Sequence, residues 1–358
     1  MAPRIVVHAS LVDFLQAIEG IAGADSVRSN HLVGYVVQRW QTGKTAPLVN
    51  ASEDAKPDED VELLVTVWEG DELRLMFSKL SWAQCKLVSP VPSSSLGDLA
   101  IPLVPDLVSH LLTLPPFSTS PELLRSLAGP EKLVDAFTSV WPHPRKPEPG
   151  MRICPASVSS PPPRADFPPG HSMTRIQDIR DISPADMEYF AQLWIAFLAG
   201  HDPQAPTTVE DATAQLLKSV PSGATWLYRA PPPSSPSSPP VPVGFVNTGR
   251  PTPRTVAIRG VCVSPTHRRL GIAERMTAYV VRAHLVDASK LSMRFRPGEE
   301  RPKVEYDEAT KWGGKDEVCL FVEPDNPSAR KVYERVGFVE DEHVWADVDL
   351  EGIEPGYW

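Results

Sequence analysis

Two short stretches of the sequence hold residue types that can do chemistry. In the first, Val261-Cys262-Val263-Ser264-Pro265 leads through Thr266-His267 into Arg268-Arg269-Leu270-Gly271-Ile272-Ala273. β-Branched residues running up to a proline predict a strand. Ile272, Met276, Tyr279, Val280 and Ala283 then recur every three or four residues and predict a helix opening near Gly271. The first turn of a helix presents unpaired N–H groups and the positive end of its dipole, a setting that suits phosphate. Gly271 and Ala273 are small enough to let a diphosphate reach the backbone, and Arg268 and Arg269 can add charge-assisted contacts. An ordinary strand–turn–helix with solvated arginines has the same spacing.

The second stretch runs from Val318 through Glu323-Pro324-Asp325-Asn326-Pro327 to Tyr333 and Gly337-Phe338. Asn326 is a good helix cap, Pro327 fits the first helical position, and Gly337 suits the left-handed residue that ends a helix. Tyr333 stands seven residues after Asn326, so the two share a side of the helix. On the residues alone, Tyr333 reads as a packed tyrosine with a satisfied hydroxyl. Glu323, at the end of the expected strand, is the nearest carboxylate that could serve as a base; an exposed strand-end carboxylate fits equally well. Cys262 reads as a small buried residue rather than a nucleophile, His267 as a solvated loop histidine, and His171 and His201 have no visible partner.

The elements that must position these groups follow from periodicity and breakers. Strands are expected over 174–180, 255–263 and 317–323, and helices over 269–285 and 326–336, with mainly strand after Phe338. Ser183-Pro184-Ala185-Asp186 is a helix start, continued by Met187, Phe190, Leu193, Trp194 and Phe197. The run 231–242, Pro-Pro-Pro-Ser-Ser-Pro-Ser-Ser-Pro-Pro-Val-Pro, lies between two apolar segments and reads as a long hairpin loop. A second proline-rich stretch, 156–170, is expected to be an extended linker between a domain at 1–155 and one at 171–358. In the first of these, 11–19 and 103–114 read as helices and 61–77 as a hairpin. The helix at 130–141 places Leu133, Val134, Phe137 and Val140 on one side. No histidine–carboxylate cluster, serine elbow or glycine-rich phosphate loop occurs in residues 1–150.

Arg268-x-x-Gly271-x-Ala273, preceded by Val-x-Val-x-Pro, resembles the acyl-CoA signature of the GNAT superfamily. The 318–338 stretch is similar to that family's closing strand–helix unit. The resemblance implies an α+β fold with a mixed, largely antiparallel central sheet flanked by helices. It further implies an acetyl-CoA-dependent N-acetyltransferase in which the amine attacks the thioester directly. Carried over by position, residues 268–273 (Arg268, Arg269, Leu270, Gly271, Ile272, Ala273) would hold the diphosphate. Backbone groups of Val261, Cys262 and Val263 would polarise the thioester carbonyl, Asn326 would contact the pantetheine arm, and Tyr333 would protonate the departing thiolate. The first half looks like the degenerate N-terminal half of tandem members. The insertion at 290–316 departs from a minimal family domain and is either a lid over the acceptor or a mixed-charge solvated loop. A non-catalytic acyl-CoA sensor, another acyl group and another acceptor are the alternatives.

Composition narrows the partners. The 358-residue chain is 42% hydrophobic with a formal charge of -10, so a basic nucleic-acid-binding face is not expected. The resemblance points to a small-molecule amine acceptor, with a protein lysine as the other choice, and to a monomer or homodimer. The four cysteines, Cys85, Cys154, Cys262 and Cys319, have neither disulfide-framework nor metal-site spacing. Without a signal-peptide pattern or an apolar run near the ~20 residues of a membrane span, a cytoplasmic protein is expected.

Overall fold

The computed structural model describes residues 2–21, 23–41, 62–80, 84–147, 150–163, 166–199, 205–219, 223–235, 237–285, 314–342 and 344–354. The first half contributes β1 (Arg4–Val7), α1 (Leu11–Ile18), α2 (Val27–Gln41), β2 (Leu63–Glu69), β3 (Glu72–Lys79), β4 (Cys85–Val88), α3 (Leu96–Leu99), α4 (Val104–Leu111), β5 (Ser126–Pro130) and α5 (Glu131–Thr138). After β6 (Met151–Val158) come β7 (Ser172–Ile176), α6 (Pro184–Leu198), α7 (Val209–Ser219), β8 (Thr225–Ala230), β9 (Val241–Gly249) and β10 (Thr255–Val263). The chain closes with α8 (Ile272–Leu285), β11 (Glu317–Val322), α9 (Pro327–Val336), β12 (Val339–Glu340) and β13 (Trp345–Asp349).

The strands join one sheet in the order β1-β2-β3-β4-β5-β13-β6-β11-β10-β9-β8-β7, with β12 beside β6. Among the described residues the pairs are antiparallel except β4 with β5 and β10 with β11. The fold class expected from the sequence, a mixed and largely antiparallel sheet flanked by helices, is the one observed. The order also contains a repeat. Each half has four antiparallel strands, a parallel step across a helical connection, and a closing strand. The closing strands are exchanged: β13, at the end of the chain, pairs with β5 of the first half, and β6 pairs with β11 of the second. β6 runs through the expected boundary at 155/156, with Cys154 to Val158 in register with β11, so the beginning of the expected linker is strand.

Local sequence explains the elements around the second parallel step. Val256, Ala257 and Ile258 of β10 and Val318, Cys319 and Leu320 of β11 are all buried, as expected for parallel strands covered on both faces. α8 packs Ile272, Met276 and Val280 against one face, in a cluster with Val246, Val256 and Leu320. α6 and α7 cover the other face with Phe190, Leu193 and Leu216 around Phe245 and Cys262. Ser183 caps α6, accepting from the Asp186 amide at 3.1 Å. Residues 231–240 of the 231–242 run are the hairpin connection between antiparallel β8 and β9, apart from Pro236, which is outside the described residues, while Val241 and Pro242 already pair in β9. In the first half, α5 buries Leu133, Val134 and Phe137, whereas Val140, expected on the same side, lies beyond its end and is exposed.

α2 ties the halves together by crossing onto β10, β11 and β6. Just before it, Asp25 is half-buried, accepting from the Arg254 amide at 3.1 Å and from the Thr252 hydroxyl, with Lys315 nearby. Asn30 of α2 donates to Thr255 Oγ1 at 2.7 Å and to the Arg250 carbonyl at 3.0 Å. No described helix is long and apolar enough to cross a membrane.

Candidate active site

β10 and β11 are in register only from Thr255/Glu317 to Ile258/Leu320. Beyond that point they separate, and a bulge at Arg259 shifts β10 against β9 between Ile258 and Gly260. The edges of 259–263 and 321–322 that face each other therefore have no strand partner there. A cleft of about 650 Å³ opens between them, within the ordinary range for a ligand site. Its lining includes Val261, Cys262, Val263, Arg268 and Ala273 from one side and Glu323, Asn326 and Tyr333 from the other. The two sequence stretches, far apart along the chain, share this cleft.

The turn before α8 is built from unusual backbone. Arg269 and Gly271 both have positive φ, 63° and 71°, and successive amides in such a turn converge into a concavity that suits an anion. The first helical bond of α8 runs from Arg275 N to Gly271 O at 3.2 Å, so the amides of Ile272, Ala273 and Glu274 precede it. Arg268, Arg269, Leu270 and Gly271 are exposed. Arg275 closes the turn by donating to the Leu270 carbonyl at 2.7 Å, and Arg268 reaches back to the Val263 carbonyl at 3.3 Å. Arg268 and Ala273 line the cleft, while Arg269, Leu270 and Gly271 form the exposed turn between them. The Ile272 side chain is in the core, so only its amide is offered to a ligand.

Asn326 caps α9, its Oδ1 accepting from Ala329 N and Ser328 Oγ, both at 3.1 Å. That fixes the amide and leaves Nδ2 available to another partner. Tyr333, on the same side of α9, is half-buried with its ring 5.8 Å from Phe338. Burial pushes its phenol up to about 12, so it holds its proton at neutral pH. Gly337 ends the helix with φ 102°, as its position required. The Cys262 side chain packs on the opposite face, donating to the Leu193 carbonyl at 3.6 Å, and burial raises its thiol to about 11; a thiol so held is not a nucleophile.

His267 corrects an expectation. It is buried rather than solvated, with Nδ1 2.9 Å from Thr266 Oγ1 and Nε2 3.4 Å from the Pro231 carbonyl. The proline-rich hairpin folds over it, which its polar sequence neighbours did not disclose. His171 has a partner after all, the Tyr228 hydroxyl at 2.9 Å. His201 and residues 290–313 of the expected insertion lie outside the described residues.

The cleft also collects residues that sequence reasoning missed. His31 of α2, Arg250 at the end of β9, Arg259 in the bulge and Asp347 of β13 all line it. Burial raises Asp347 to about 7, helped by Asp349 and opposed by a Gln84 hydrogen bond and by Lys86. Its Oδ2 has no partner among the described residues. A carboxyl poised near neutrality in a cleft is suited to accept a proton. Lys86, beneath it, is lowered to about 8 by burial and then by Arg250. His31 is held well below its usual value by burial and the surrounding cations, so it is neutral. Only topology could have revealed these groups, since β13 reaches the cleft through the strand exchange. No cluster of histidine, cysteine or carboxylate residues fit for a metal occurs among the described residues.

The first half shows what this site looks like when closed. Its β4 leads through Val88-Ser89-Pro90 to Leu96-Gly97, much as β10 leads through Val263-Ser264-Pro265 to Leu270-Gly271. There, however, Gly129 of β5 lies so close to β4 that an added Cβ would come within 2.0 Å of the Leu87 carbonyl. The strands stay together and leave no room for a ligand arm.

No protein-family model matches the sequence, and no curated protein does. Among solved structures the chain is similar to a tandem GNAT protein from the clavulanic acid biosynthesis pathway. That alignment has 12% identity and a TM-score of 0.47 and covers 99% of this chain and all of the other. It is similar to a GCN5-related N-acetyltransferase from Sphaerobacter thermophilus, at 15% identity and TM-score 0.47, covering 99% and 97%. A GCN5-related N-acetyltransferase from Kribbella flavida aligns at 15% identity and TM-score 0.44, covering 90% and 96%.

Proposed function

We propose that the chain is an acyl-CoA-dependent N-acyltransferase, with acetyl-CoA as the donor and a primary amine as the acceptor. One observation carries this reading: the parallel strands β10 and β11 part after Ile258/Leu320, and the opening holds a phosphate-ready helix start on one side and Asn326 with Tyr333 on the other. Residues 171–358 form the transferase unit, and 1–155 form its supporting half, each completed by a strand of the other.

The diphosphate would rest on the turn at 268–273, held by the amides of Ile272 and Ala273 and by Arg268 and Arg269. The pantetheine arm would enter between β10 and β11, satisfying the free strand edges, with Asn326 Nδ2 donating to it. Attack by the neutral amine places negative charge on the thioester oxygen, and an amide of the Val261–Cys262–Val263 edge would receive it. Asp347 or Glu323 takes the amine proton, and Tyr333 gives its proton to sulfur as the carbon–sulfur bond breaks. The direct test is free-thiol release from acetyl-CoA with a panel of amines, alongside calorimetry of acetyl-CoA binding. Release confirms transfer; binding without release identifies a sensor; absence of binding refutes both.

A further inference from the structure

Two arginines in the cleft have no part in the steps above. Arg259 projects from the bulge in β10 and is exposed to the cleft, and Arg250 follows β9 at its edge. Among the described residues neither guanidinium is paired with a carboxylate. Arg250 Nε is buried without a hydrogen-bond partner, and its ring contact is the face of Phe321 at 5.7 Å. Burial and then Arg259 lower Arg250 to about 9, and burial lowers Arg259. Lys86 and His31 stand on the same side. In a chain of formal charge -10, the two guanidiniums form a cationic corner facing a ligand space, while His31 beside them is neutral and Lys86 has Asp347 nearby.

The corner is built for these side chains. Gly249 leaves the space that the Arg259 stem occupies, since a Cβ there would come within 2.6 Å of Arg259 Cδ. Gly34 of α2 does the same for Arg250, whose Cβ would lie 2.6 Å from an added methyl. Arg250 is itself held at φ 50°, a left-handed conformation unfavourable for a non-glycine residue. Asn30 holds its carbonyl and Gln38 its amide. Two glycines and a strained residue thus maintain like charges side by side, an arrangement that is unfavourable until an anion joins it.

We propose that the acceptor carries a carboxylate together with its amine, an amino acid in the broad sense, and that Arg250 and Arg259 bind that carboxylate. The proposal rests on the acyl-transfer reading and narrows it to a small molecule. A planar guanidinium pairs with a carboxylate through two parallel hydrogen bonds, and an internal protein lysine has no such group to offer. Asp347, in the same cleft, would then receive the amine end.

The test compares each of the twenty proteinogenic amino acids with its amide and its decarboxylated amine, using thiol release from acetyl-CoA and calorimetry on the CoA-loaded protein. At least one amino acid should show a tenfold or greater preference over both analogues, in kcat/KM or in Kd. Arg259→Gln and Arg250→Gln should each raise the KM or Kd of that acceptor at least tenfold while the acetyl-CoA KM stays within twofold; Arg259→Lys should restore part of the loss. Equal use of amides and amines, an exclusive preference for uncharged amines or peptide lysines, or variants that bind the acid normally would overturn it. Those outcomes leave acyl transfer intact, whereas failure of acetyl-CoA to bind would remove the proposed function itself.

Discussion

Replacing Tyr333 by phenylalanine removes one oxygen atom and little else, which makes it the sharpest probe of the proposed mechanism. The ring keeps its edge contact with Phe338 at 5.8 Å, and the hydroxyl has no protein partner among the described residues whose loss would orphan a buried group. Folding stability should therefore change by less than about 1 kcal/mol, the net value of an ordinary hydrogen bond. The phenol stands at about 12, so the wild-type group is fully protonated at pH 7–9 and able to donate. Losing a general acid at the step where sulfur departs typically costs 10²–10⁴-fold, which is about 3–6 kcal/mol at 1.4 kcal/mol per decade. Thiol release under saturating acetyl-CoA should fall by that factor, with acetyl-CoA Kd from calorimetry unchanged within about threefold. A normal kcat with a weakened Kd would show that Tyr333 only holds the donor, and the proton would then have to come from elsewhere.

The remaining predictions probe other parts of the molecule. Asp347 is raised to about 7, well above an unfolded carboxyl, so the native state binds the extra proton between about pH 4 and 7 and stability falls as pH rises through that window. Asp347→Asn should raise Tm at pH 8, by up to roughly 2–4 kcal/mol of stability, have no such effect at pH 4, and abolish an ascending limb near pH 7 in kcat/KM. Gly249→Ala places a methyl 2.6 Å from Arg259 Cδ; displaced guanidinium should appear as a higher acceptor KM at constant acetyl-CoA KM. Asp25→Ala removes the half-buried carboxylate facing fully buried Lys315 at the junction of the halves, and urea denaturation should show a loss of about 3–5 kcal/mol. Cys262→Ala should retain turnover, since the thiol is buried and raised to about 11; loss of thiol release in a folded variant would reinstate it as a nucleophile.

The parts of the site legible in the sequence are those set by local chemistry. Asn326-Pro327 and Gly337 bracket α9 because a cap, a donor-free first position and a left-handed terminus are each single-residue requirements. Strand β10 appears with the bounds expected, 255–263, because both its faces are buried and its residues are almost uniformly β-branched or small. The groups that stayed hidden are placed by long-range pairing. His31 reaches the cleft because α2 crosses onto the second half, and Asp347 because the last strand leaves its own half for the other. Arg259 lay within an expected strand, yet only the bulge turns it into the cleft. Helix α2 itself went unrecognised because polar Asn30, His31 and Gln38 interrupt its apolar stripe, and these residues are now seen holding Arg250 or lining the cleft.

The strand exchange gives a physical reason for one open cleft in a chain with two similar halves. A parallel pair can part only if the free edges find another partner and the floor beneath them is held from elsewhere. In the second half that floor comes from β6 and β13, which lie side by side through Trp345/Ile153 and Asp347/Met151 and bring a titratable carboxyl with them. In the first half Gly129 closes on Leu87, α3 is a single turn, and the aromatic stack of Phe77, Phe137 and Trp141 fills the space below. Opening that half would expose its free edges with no ligand to meet them, at a cost of about 1–3 kcal/mol for each buried group left unpaired. The first half is thus committed to packing, and by supplying α2 and the pairing partner of β13 it fixes the position of His31 and Asp347. An isolated second half keeps Arg250, Arg259 and Asp347 in its sequence but loses the α2 contacts and the β5 pairing that hold them, so acceptor use should fail while the turn at 268–273 is kept, the separation expected if donor binding belongs to one half and acceptor binding to both.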